Sequence, residues 1–112
     1  MSDLQIPKEL KATGRKAAEI ILDTIRKDNE REVHTGGCRA FYSPREWAER
    51  GEEYGRNAEL IVVHDGGDLA RYFNYDYRDY EGIFRMDQAL REAKVYAETC
   101  TSWYTAIYRI PK

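Results

Sequence analysis

The chain is poor in the residues from which most metal and nucleophile sites are built. It has two histidines and two cysteines, and Cys38 and Cys100 lie far apart with no Cys-x-x-Cys pair. A thiolate metal cluster is therefore not expected, nor is a disulfide framework, and both cysteines read as reduced, partly buried thiols. Glycine-rich phosphate loops are missing too. Gly36-Gly37 and Gly66-Gly67 are only pairs, and neither GxGxxG nor GxxxxGK[ST] occurs, so no nucleotide cofactor is indicated. The longest purely apolar run is Leu60 to Val63, far short of the roughly 20 residues of a membrane-spanning helix. No basic start followed by an apolar stretch is seen in Met1-Ser2-Asp3-Leu4-Gln5, so the expected compartment is cytoplasmic. Eighteen basic residues against twenty acidic ones leave no cationic excess, and a nucleic-acid partner is not indicated. Without a Pro/Gly/Ser-rich linker, residues 1–112 read as one domain.

What is present is hydrophobic periodicity. From Pro7 to Asn29, Leu10, Ala17, Ala18, Ile21, Leu22 and Ile25 recur at helical spacing and predict an amphipathic helix. Cys38 to Tyr42 is a short strand candidate. Ser43-Pro44-Arg45-Glu46 then carries a complete helix-start signal, with a capping serine, a proline at the first position and a glutamate that can reach back. The helix it opens holds Trp47 and Tyr54 on one face and is expected to stop at Gly55.

Ala58 to His64 predicts a second strand, apolar throughout its centre as for a strand covered on both faces. Asp68 is then placed to cap a short helical turn holding Leu69, Tyr72 and Phe73. A third helix is expected from about Asp76 or Arg78 to Ala93, with Tyr80, Ile83, Phe84, Met86, Leu90 and Ala93 on its apolar face. Val95 to Cys100 and Trp103 to Ile110 read as a closing hairpin around Thr101-Ser102. The expected fold class is α+β, or small α/β, with three helices and about four strands in a mixed sheet in the order α-β-α-β-α-β-β. The strand–helix–strand alternation predicts parallel neighbours joined by right-handed crossovers.

That topology collects Tyr42-Ser43 and the turn His64-Asp65-Gly66-Gly67-Asp68 at one carboxyl edge of the sheet, where open parallel sheets bind ligands. His64 titrates near neutrality when unperturbed, and Asp65 and Asp68 are able to orient it; turn and cap chemistry explain the same residues without any ligand. The same topology puts Cys38 and His64 at opposite ends of their strands, roughly 13–17 Å apart, too far for a catalytic dyad. It also places His34 at the far end of the sheet from His64.

Directly after the turn, Tyr72, Phe73, Tyr75, Tyr77 and Tyr80 crowd five aromatics among Asp76, Asp79 and Glu81. One helix face cannot bury them all, and exposed tyrosine is enriched at protein interfaces. The leading expectation is a small non-catalytic binding or regulatory module, of inhibitor or accessory-protein type, engaging another protein. Its binding residues are His64, Asp65, Asp68, Tyr72, Tyr75, Asp76, Tyr77 and Asp79, with no catalytic residue, metal or cofactor assigned. Two alternatives stand beside it. One is a small enzyme or small-molecule binder with a pocket at the His64 turn and Ser43 opposite; the other is a homodimer or larger self-assembly held by the tyrosines.

Overall fold

A computed structural model describes residues 4–52 and 54–111; the opening Met1-Ser2-Asp3 read above for a leader lies outside them. The elements run α1 (Ala12–Asn29), β1 (Phe41–Tyr42), α2 (Pro44–Glu49), β2 (Leu60–Val63), α3 (Ala70–Phe73), a single 3₁₀ turn (Tyr75–Tyr77), α4 (Tyr80–Glu92), β3 (Val95–Thr99) and β4 (Tyr104–Arg109). The class is α+β, as the periodicity predicts. None of the helices is long and apolar enough to cross a membrane among the described residues.

Strand direction departs from expectation. The sheet has the order β1-β2-β4-β3, and every neighbouring pair is antiparallel. Phe41 pairs with Val62 and Tyr42 with Ile61. The cause is the shortness of α2. Six residues of helix advance about 9 Å, and Gly51, at a φ of +84°, ends it well before Gly55. The chain thus re-enters the sheet beside the point where it left, which reverses the strand. Tyr42-Ser43 and the His64 turn consequently lie at opposite ends of the sheet, not along one edge.

Two apolar layers result. On one face Leu60, Val62, Phe41 and Ile107 pack under α1, α3 and α4, against Ile21, Ile25, Tyr72, Met86 and Leu90. On the other, Ile61, Val63, Tyr104 and Ala106 meet Trp47 of α2. That ring is fully buried, its centroid 4.8 Å from Tyr104 and 5.0 Å from Tyr42. β2 is buried at every residue because both layers close on it, which explains its unbroken apolar sequence.

α2 forms where the local signal places it. The Ser43 hydroxyl accepts from Glu46 N–H at 3.1 Å, and Glu46 Oε1 accepts from Ser43 N–H at 3.0 Å. Burial alone would raise the Glu46 carboxyl, but Arg39 at 2.8 Å and the Ser43 amide hold it below its ordinary value. α1 begins at Ala12 instead of Pro7, because the Arg15 guanidinium ties down the carbonyls of Pro7 and Lys8 in a separate turn.

Removing the Ser43 hydroxyl (Ser43→Ala) is expected to cost about 1 kcal/mol, whereas Trp47→Ala empties the centre of the second layer and costs about 3–5 kcal/mol. Urea unfolding at pH 7 measures both, and equal losses would refute this ranking.

Candidate functional site

The turn after β2 is built into the molecule more deeply than a surface loop. His64 N–H donates to Trp103 O at 2.9 Å, and Asp68 N–H donates to His34 O at 2.6 Å. In return the Asp68 carboxylate accepts from His34 N–H at 2.8 Å and takes both Nη groups of Arg31, at 2.8 and 2.9 Å. Asp68 therefore does not cap α3, whose N-cap is Leu69 without a side-chain bond. It clamps the loop before β1 instead. Burial alone would raise its carboxyl, but Arg31 and the His34 amide hold it below the ordinary carboxylate range.

The two loops cross at their glycines. Gly36 (φ +72°) and Gly67 (φ +69°) approach so closely that a Cβ on Gly67 would lie 2.3 Å from the carbonyl carbon of Thr35, and one on Gly36 would lie 2.8 Å from Gly67 N. Both also adopt the left-handed backbone that side chains disfavour. The crossing brings His34 and Cys38 to the His64 end of the sheet, contrary to the parallel topology. The Cys38 thiol donates to Asp65 O at 3.4 Å. Proximity does not make a dyad, because the His64 ring is engaged elsewhere.

His64 itself is only 2% exposed. Its Nε2 lies 2.9 Å from Thr105 Oγ1, its ring stacks on Phe73 with centroids 5.4 Å apart, and Nδ1 is buried without a partner. Burial pushes its pKa down to about 4, only partly offset by its own backbone and by Asp65. The imidazole is thus neutral at physiological pH and faces the interior. Among the described residues, no three His, Cys, Asp or Glu side chains gather in a metal-holding group.

The following segment separates its aromatics sharply. Tyr72 and Phe73 turn inward, at 1% and 4% exposure. The Tyr72 hydroxyl donates to Asp28 Oδ2 at 2.8 Å and accepts from Arg71 Nη2 at 2.8 Å. Arg85 completes the knot, holding the same Asp28 oxygen at 2.8 Å. Burial and then donation to Asp28 push the Tyr72 phenol up to about 12. The Arg85 hydrogen bond dominates in holding Asp28 low. Arg71 also binds Asn29 and Asp79.

Beyond the knot the rings turn outward. Asn74 Oδ1 accepts from Asp76 N–H at 2.9 Å and starts the 3₁₀ turn, while its amide donates to Ser102 O at 3.2 Å. Arg78 adopts the left-handed conformation, and Asp79 caps α4 by accepting from Gly82 N–H at 3.1 Å. A Cβ at Gly82 would strike that Asp79 carboxylate, which explains glycine in this helical turn. This path leaves Tyr75 58%, Tyr77 56%, Tyr80 61% and Phe84 59% exposed.

Of the eight residues singled out from sequence, Asp65, Tyr75, Asp76 and Tyr77 are exposed, while His64 and Tyr72 are buried and Asp68 and Asp79 form part of the frame. Sequence reasoning assigned Tyr80 and Phe84 to the apolar helix face, but α4 buries Gly82, Met86 and Leu90. The signal was available. The Tyr80–Phe84 stripe continues one and two turns later into Gln88 and Arg91, polar residues that mark a solvent face. The chain matches no protein-family model, no curated protein and no solved structure.

Neutral buried His64 makes the fold acid-sensitive. The unfolded chain binds a proton near pH 6.5 and the folded one only near 4, so stability is whole above 6.5 and is lost as pH falls toward 4. Between pH 7.5 and 4.5 the loss from this one group is about 2–3 kcal/mol. Urea unfolding of the native chain and of His64→Gln at both pH values tests this. An identical pH dependence in the two proteins would show that His64 is not responsible.

Proposed function

We propose that the chain is a non-catalytic binding or regulatory module, of inhibitor or accessory-protein type, that engages another protein through the ridge formed by Tyr75, Tyr77, Tyr80 and Phe84. The observation that carries this reading is the exposure of those four rings, each more than half in water. Their neighbours Tyr72 and Phe73 are buried, so the exposure is not a general failure to pack. Large apolar side chains left exposed together in one short segment are a common mark of an interaction surface. Tyrosine contributes large contact area at little cost in side-chain freedom.

Exposed Asp76 and Glu81 border the ridge, and Asp65 is exposed at the turn that precedes it. The knot of Asp28, Arg71, Tyr72 and Arg85 holds the segment's base, so the backbone that carries the rings is tied to the core before any partner arrives. Such preorganisation lowers the entropy lost on binding. The framework residues His64, Asp68, Tyr72 and Asp79 serve this reading by shaping the surface, not by touching the partner. A cytoplasmic setting belongs to the same proposal and is supported by Cys38 and Cys100, which are both free thiols.

Two double variants test it: Tyr75→Ala with Tyr77→Ala, and Tyr80→Ala with Phe84→Ala. Both are expected to keep native stability within about 0.5 kcal/mol, as surface changes do, while quantitative pull-down of the bound protein falls at least tenfold. Undiminished capture by both variants would sink the ridge as the binding surface.

A further inference from the structure

We propose that the cavity at the start of α1 takes a small anion bearing phosphate, at a site separate from the ridge. The cavity has a volume of about 420 Å³, and Lys11, Arg45 and Arg56 stand on its wall. Spaces of this order hold small organic ligands. The sign of the ligand follows from the charges that have no counterion. Among the described residues, nine bases form no ion pair. Only Lys27 and Arg78 of these lie elsewhere. Lys8, Lys11, Arg15 and Lys16 surround the opening of α1, and Arg56, Lys94 and Arg109 lie beside it. Arg56 shares the cavity wall with Lys11, Arg109 donates to Thr13 Oγ1 at 3.5 Å, and Lys94 O accepts from Ile110 N–H next to Arg109. Four acids without an ion pair accompany these seven bases, namely Glu9, Glu19, Glu59 and Glu92. This end therefore carries a surplus of three positive charges, on a chain whose formal net charge is −2.

α1 does nothing to relieve that surplus. Its N-cap is Lys11, which makes no side-chain cap bond, and its first turn holds no acid. A helix start favours negative charge and disfavours positive, so four bases gathered there cost stability unless an anion offsets them. Glu9 and Glu59 also stand on the cavity wall, yet neither pairs with Lys11 or Arg56. The cations are thus left facing the open space, not closed off by their own neighbours. Arg45 is held only by an exposed contact with Glu49 at 3.4 Å, the kind of pair that contributes little. Guanidinium and ammonium groups that converge beside helix amides are the ingredients of phosphate binding. A phosphate ester group carries about two negative charges near neutrality and matches a surplus of this size better than one carboxylate does. Leu10 and Pro44 border the same space and leave room for the organic part of the ligand.

The test is ¹⁵N NMR of the full chain at fixed ionic strength, titrated with inorganic pyrophosphate, with succinate, and with a single-stranded oligonucleotide that lacks terminal phosphate. Pyrophosphate is expected to shift the amides of Ala12, Thr13 and Gly14, and succinate is not. Lys11→Gln with Arg56→Gln, both exposed changes, should weaken pyrophosphate binding about fivefold. Lys27→Gln with Arg78→Gln removes the same charge elsewhere and should leave it unchanged, because fixed charges beyond a Debye length are screened. Ala12, Thr13 and Gly14 amides unmoved by pyrophosphate would overturn the site. Equal weakening by the two double variants, or none by the first, would overturn the cavity as its location. An equal response to succinate would overturn the assignment to phosphate. Tighter binding of pyrophosphate than of the oligonucleotide upholds a small ligand; the reverse order would overturn it in favour of a nucleic-acid backbone. The alanine variants of the ridge leave these bases in place, so the two readings fail separately.

Discussion

The hydrogen bond from the Tyr72 hydroxyl to Asp28 governs the arrangement of the aromatic segment. It fixes one ring of a crowded stretch inside the core, and Arg71 and Arg85 neutralise the carboxylate that receives it. With Tyr72 and Phe73 committed inward, four residues of helix are complete and the chain reverses through the 3₁₀ turn. The rings that follow have no interior left to enter. Exposure of Tyr75 and Tyr77 is thus a geometric result of where Tyr72 is anchored. A charged, hydrogen-bonded anchor is also directional, which an apolar contact is not.

His64 links that segment to the sheet from the other side. Its ring is the surface on which Phe73 stacks, and its Thr105 contact reaches β4. A charged imidazole there would lack a partner for Nδ1 in a dry setting, so the protein keeps it neutral. The same residue read from sequence alone looked like a titrating site group. Burial, which a single sequence shows poorly at the end of a strand, changed a candidate contact residue into a structural one.

Much of the architecture was legible because its signals are local. Ser43 and Glu46 form both halves of the predicted capping box, and Leu60–Val63 is buried throughout, as its composition implies. The closing hairpin also lies where Val, Ile, Tyr and Trp gather. Strand direction was not legible, because an all-apolar strand fits the middle of an antiparallel sheet covered on both faces as well as a parallel one. The length of α2 decided between them, and Gly51 set that length. Asp68 shows the other limit: its composition and position suit a helix cap, but its partners Arg31 and His34 lie more than thirty residues earlier. Tyr80 and Phe84 mislead for a different reason: their own hydrophobicity suits an apolar face, but their stripe runs on into Gln88 and Arg91, on the solvent side of α4.

The crossing of Gly36 and Gly67 bears on how this chain can change over generations. Surface loops ordinarily accept insertions and deletions one at a time. These two touch backbone to backbone at positions where neither can carry a side chain. An added residue in one loop would therefore shift its glycine off the other and separate Asp68 from Arg31. The pair forms a single inherited unit of fixed length, in which drift on one side is tolerated only when the other side moves with it.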